Sequence, residues 1–108
     1  MLKLTSAQVD ALSEERLVRT ICGIVEKTLP HRLPPGRSSR EVVPPLVQLG
    51  KTYGVTGERG LARFVCLALI VGERSMRQPE VAAQFRSRQP LPDVLVNNML
   101  RKLAKRRA

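Results

Sequence analysis

The sequence predicts an all-α fold: a compact single domain of five helices, with an apolar helix at about 57–71 in its centre. Three observations predict it. Leu61, Phe64, Val65, Ala68 and Leu69 recur at the spacing of one helical face. Cys66, Leu67, Ile70 and Val71 cover most of the other faces, so this segment must be surrounded. The valines fall at helical spacings and form no alternating runs, so no strand is predicted. The apolar run from Leu61 to Val71 is also too short to span a bilayer, which needs roughly 20 residues.

The first helix is expected from about Ser6 to Leu29, capped by Thr5 or Ser6. Val9, Leu12, Leu17, Ile21, Ile24, Val25 and Leu29 trace its apolar side. Gly23 weakens it by about 1 kcal/mol relative to Ala. Pro30 ends it, and His31–Arg37, with Pro34-Pro35-Gly36, reads as a loop. The second helix starts at Ser38 or Ser39 and places Val42, Val43, Leu46, Leu49 and Tyr53 on one side. Pro44-Pro45 predicts either a start at Pro44 or a kink there. Gly54 suits a left-handed C′ position, with Val55 as the apolar residue that follows.

The central helix, opened by Thr56-Gly57-Glu58, ends at Gly72, and Glu73–Gln78 reads as a loop. Pro79 opens a short fourth helix to about Ser87, with Val81, Ala82 and Phe85 inward. Pro92 opens the last helix, with Asp93 at its positive end. Leu95, Met99 and Leu103 lie one turn apart, and Val94, Val96 and Leu100 widen that stripe. The basic end, about 101–108, reads as a solvated, fraying terminus of the same 1–108 domain.

A chain of 108 residues makes one domain with a modest core. Its aromatics are only Tyr53, Phe64 and Phe85, so that core is aliphatic. The net charge of +10 is unevenly placed: residues 1–30 balance four basic against four acidic groups, while residues 31–108 carry fifteen against five. Such a field favours acidic partners. Cys22 and Cys66 read as buried reduced thiols, with a disulfide between first and third helices as the alternative. Met1-Leu-Lys-Leu lacks a following apolar stretch, so no signal peptide is expected and a bacterial-style cytoplasmic protein is.

Catalytic chemistry is not expected. Glu14-Glu15 is the sole carboxylate pair, and adjacent helical residues do not share a face. Glu41, Glu58, Glu80 and Asp93 all sit in first helical turns, a structural use. His31 stands alone, and the cysteine spacing does not suit zinc, so no metal or cofactor is predicted. Gly54-Val-Thr-Gly57 lacks the Gly-Lys-Ser/Thr ending of a phosphate cradle. The basic cluster Arg101, Lys102, Lys105, Arg106 and Arg107, extended by Arg86 and Arg88, could track phosphates. Against nucleic acid stand the scarcity of aromatics for stacking and a helix after Thr56-Gly57 too apolar to read a groove. An immunity-like inhibitor of a basic nuclease is disfavoured by the same positive charge.

In order, the chain offers Gln8 in a long first helix ending in Pro30 and a second helix closing on Tyr53-Gly54-Val55. A capped helix closing on Gly72 follows, then Pro79 and a final Leu91-Pro92 helix. This order resembles the small helical proteins encoded in type VI secretion clusters, beside the VgrG spike, the effectors and their adaptor chaperones. The strongest piece runs from Tyr53-Gly-Val-Thr-Gly-Glu58 through Phe64-Val65 to Gly72. The resemblance implies an accessory role, helping an adaptor chaperone load an effector onto the spike, and no catalytic residues. The expected function is therefore non-catalytic protein–protein interaction, with a basic nucleic-acid-binding module as the alternative. The last helix is the expected contact element: Leu100 and Leu103 as apolar anchors, and Arg101, Lys105 and Arg106 as steering charges.

Overall fold

The computed structural model describes residues 6–107, and side chains from 14 to 105. The helices are α1 (Ser6–Thr28), α2 (Ser39–Thr52), α3 (Glu58–Val71), α4 (Glu73–Met76), α5 (Pro79–Ser87) and α6 (Pro92–Arg107). A 3-10 turn at Pro30–Arg32 follows α1, and no strand occurs among the described residues. The class is all-α, with six helices where five were expected. Ser6 is the first residue of α1, while Thr5 and the side chains of Ser6, Gln8, Val9 and Leu12 lie outside the described residues.

The centre is α3, which packs against α1, α2, α4 and α6. Its Leu61, Phe64, Val65, Leu67 and Ala68 are buried, and Cys66, Leu69, Ile70 and Val71 are half-buried. Only Glu58, Arg59 and Arg63 of this helix are exposed. Each large apolar side chain fully buried in this way contributes about 1.5–3 kcal/mol. Ile21 and Val25 of α1, Val43, Leu46 and Val47 of α2, and Leu95 and Val96 of α6 complete the core around it.

The chain's three aromatics, far apart in sequence, meet. Tyr53 stacks on Phe85 with centroids 4.9 Å apart, and both rings meet Phe64 edge-on at 5.8 and 5.9 Å. Such pairs add about 0.5–1.5 kcal/mol beyond their burial. Gly50 lets α2 approach this cluster: a Cβ there would lie 3.0 Å from the Phe64 ring and 2.9 Å from Leu61.

Helix ends account for the turns. At the end of α2, Val55 N–H donates to the Gly50 carbonyl and Gly54 N–H to that of Lys51, both at 3.0 Å. With Gly54 at φ +86° and Val55 buried, this is a Schellman closure, and it contains the left-handed Gly54 and apolar Val55 that the sequence predicts. The residues Glu73–Met76, read as loop, form a one-turn helix instead. Gly72 (φ +97°) reverses the chain, Arg77 N–H donates to the Glu73 carbonyl at 3.1 Å, and Arg77 pairs with the Glu73 carboxylate at 2.9 Å. Met76 is buried, and its carbonyl accepts the Tyr53 hydroxyl at 2.6 Å. Four residues carry no readable period, so tertiary anchoring made this helix, not local pattern.

The two prolines do not break α2, which runs from Ser39 through both. They leave the carbonyls of Arg40 and Glu41 without helical donors, and both residues are exposed to water. The stripe on α6 is also narrower than expected, since Val94 is 44% exposed. Pairings between helices are few but specific. Buried Ser39 donates to Glu26 at 2.6 Å, Lys51 and Gln48 both meet Glu14, and Arg63 donates to Asn97 at 2.8 Å. Asp93 accepts the Thr56 N–H at 3.1 Å, so its carboxylate serves the start of α3 as well as its own helix.

These contacts set three expectations for urea denaturation. Gly50→Ala overpacks the α2–α3 contact and lowers stability by about 1–3 kcal/mol. Gly23→Ala, where a Cβ meets nothing within 4 Å, raises it by about 0.5–1 kcal/mol. Tyr53→Phe keeps the ring stack but orphans the Met76 carbonyl, and costs about 1 kcal/mol.

Candidate partner-binding surface

Helix α6 lies on α3, so its inward residues close the core and its outward residues face solvent. Met99, Lys102 and Leu103, related by three- and four-residue steps, share one flank. They form a wall of a groove of about 240 Å³, completed by Leu67 and Val71 of α3, Ser75 and Met76 of α4 and Val81 of α5. For scale, an apolar cavity of roughly 150 Å³ holds a benzene ring. Lys102 lines the groove and is exposed, a placement that suits a lysine's aliphatic stem and charged head.

The five expected contact residues divide. Leu103 is half-buried and lines the groove. Leu100 is half-buried and packs against the core beside the groove. Arg101 and Lys105 are exposed and one turn apart, on the face of α6 roughly opposite Leu103 by helical spacing. The side chain of Arg106 lies outside the described residues. Arg101 and Lys105 can therefore act on an approaching partner over about a Debye length, roughly 8 Å at physiological salt, without touching what occupies the groove.

Arg86 and Arg88 do not extend this patch. They line a separate recess beside Gly54, where Pro92 begins α6. Pro92 and Arg101 are about 14 Å apart along the helix. The groove's opposite walls are not legible in the sequence: its pattern sets Val81 inward and Ser75 and Met76 in a loop, and nothing local joins them to Met99. Only the packing of α4 and α5 against α3 brings them together.

Among the described residues no three His, Cys, Asp or Glu side chains stand close enough to hold a metal ion. Glu14 pairs with Lys51 at 3.1 Å and Glu15 with Arg19 at 3.7 Å, so the two carboxylates face different ways. His31 is exposed on the 3-10 turn. Cys22 and Cys66 are free thiols, the first buried and the second half-buried. No described helix is long and apolar enough to cross a membrane. Comparison of the chain with protein-family models, with curated proteins and with solved structures found no match.

Burial pushes the Cys66 thiol above its ordinary value, because a thiolate there would lose hydration. The unfolded chain thus gives up this proton first as pH rises. The neutral thiol's contribution is intact below the ordinary thiol range and is lost as pH climbs from that range through the raised value of the folded state. Two outcomes follow: iodoacetamide labels Cys66 more slowly in the folded protein than in urea at pH 8, and Cys66→Ala flattens the fall in stability at alkaline pH.

Proposed function

We propose that this protein is a non-catalytic protein-binding module. It acts in the cytoplasm as an accessory to the adaptor chaperones that load type VI secretion effectors onto the spike. The observation that carries the reading is the groove between α3, α4, α5 and α6: an apolar concavity, bounded by a long basic helix, on a chain of net charge +10. A groove of this make suits an amphipathic helix laid apolar side down. Met76 and Met99 in its walls add adaptable, polarisable surface. The order of caps and helices that resembles type VI accessory proteins supports the biological setting.

In this mechanism the cations choose and the groove holds. The positive field of the molecule raises the encounter rate with acidic partners and disfavours basic ones. Leu103, Met99 and Val81 then bury apolar side chains of the partner, and Leu100 keeps α6 seated on the core. Affinity comes from that burial, and selectivity from charge.

The test is affinity capture from the native host with the tagged protein, followed by mass spectrometry. Recovery of an adaptor chaperone or effector encoded beside a VgrG spike is expected. Reversing Arg101, Lys105 and Arg106 to Glu should slow association about tenfold or more at low salt, an effect that shrinks as salt is raised. Unchanged capture by that variant at low salt would overturn the steering role. Duplex DNA titrated at several salt concentrations separates the alternative, since tight binding that weakens steeply with salt would make nucleic acid the partner.

A further inference from the structure

We propose that the recess between the end of α2 and α5 binds a carboxylate carried on an apolar segment of a partner protein. The recess, of about 480 Å³, is lined by Thr52, Tyr53, Gly54, Ala82, Phe85, Arg86 and Arg88. Its floor is aromatic: half-buried Tyr53, stacked on Phe85, which also lines the recess but is itself buried; no acidic residue lines it. Both arginines are exposed, and among the described residues neither joins an ion pair. Two uncompensated guanidinium groups thus flank an apolar pocket. Guanidinium matches carboxylate geometry with paired hydrogen bonds, while the aromatic floor and small Ala82 and Gly54 suit an adjoining apolar side chain. A bare, fully hydrated anion would leave that floor unused.

The backbone is shaped to the same end. Arg88 follows α5 in the left-handed conformation (φ 56°), where glycine or asparagine is the usual occupant and an arginine is strained. Its Nη1 lies 3.6 Å from where a Cβ on Gly54 would be, so the guanidinium rests over a glycine. A capping position filled by a strained arginine, aimed at a recess, has the character of a binding device kept at some expense to the fold. The protein source of the carboxylate rests on the protein-binding reading above, but the recess is separate from the α6 groove.

The experiment is an NMR titration following the arginine Nε–H groups and the Tyr53 and Phe85 rings. The probes are acetyl-Glu-Phe-amide, acetyl-Gln-Phe-amide and inorganic phosphate. Saturable shifts at Arg86, Arg88 and both rings are expected for the acidic dipeptide, with the other two binding about tenfold more weakly. Arg88→Gly should weaken the acidic dipeptide about tenfold while raising Tm, because glycine accepts the positive φ without strain. That pairing excludes misfolding as the cause, and Arg86→Gln, at an exposed site, should weaken binding as well. Equal binding of the neutral dipeptide or of phosphate, no saturable shift of either arginine, or full binding by both variants would each overturn the proposal. Charge reversal on α6 should leave this titration unchanged, so failure of the groove reading and failure of this one are told apart.

Discussion

The seating of the Phe64 ring against Gly50 is the contact on which the other packing depends. A hydrogen at position 50 is what lets α2 lie close enough for the ring to be fully buried between α2 and α3. Phe64 then supplies an edge-on neighbour to both Tyr53 and Phe85, and the stack of those two rings draws α5 onto the domain. The Tyr53 hydroxyl reaches on to the Met76 carbonyl and so holds α4. One close approach between two helices therefore positions two short helices that could not persist alone.

Those two short helices build the surface. Val81 on one flank of α5 walls the apolar groove, and Ala82, Phe85 and Arg86 on another wall the arginine-flanked recess. The two concavities share a helix but differ in chemistry. The groove is nearly all aliphatic and thioether, with a lysine at its edge; the recess has an aromatic floor and two guanidinium groups. A domain whose core is mostly aliphatic thus spends its whole aromatic complement at the junction where both surfaces originate. The start of α3 is managed from a distance, by Asp93 presented from α6, whereas its end is local: Gly72 caps α3 and opens α4.

Charge and packing occupy different parts of the molecule. Ion pairs among the described residues are exposed and join neighbouring turns, except Glu14–Lys51, which links α1 to α2. Exposed pairs of this kind contribute about 0–1 kcal/mol each. Stability therefore comes from the apolar centre, and the excess of cations lies outside that packing.

Much of the fold was legible in the chain, because its determinants are local. The period of Leu61, Phe64, Val65, Ala68 and Leu69 identified a helix that must be enclosed, and α3 is enclosed. Pro30, Pro79 and Pro92 marked boundaries, and Gly54-Val55 marked a helix end, because proline and glycine restrict or free the backbone regardless of what surrounds them. Contacts between residues distant in sequence were not legible. Nothing in a local pattern joins Tyr53 to Phe85, or Asp93 to Thr56, or shows that Leu103 shares a groove with Met76 and Val81 while Arg86 and Arg88 converge on another recess. The prolines at 44 and 45 make the same distinction from the other side: their local preference is to stop a helix, yet Val43, Leu46 and Val47 are buried on both sides of them, and the helix persists. The sequence by itself determined the five longer helices and which of them lies at the centre, since backbone preference and hydrophobic period act within a few residues. Tertiary structure alone decided the α4 turn, the aromatic junction and both concavities, since each exists only where side chains from three or four helices meet.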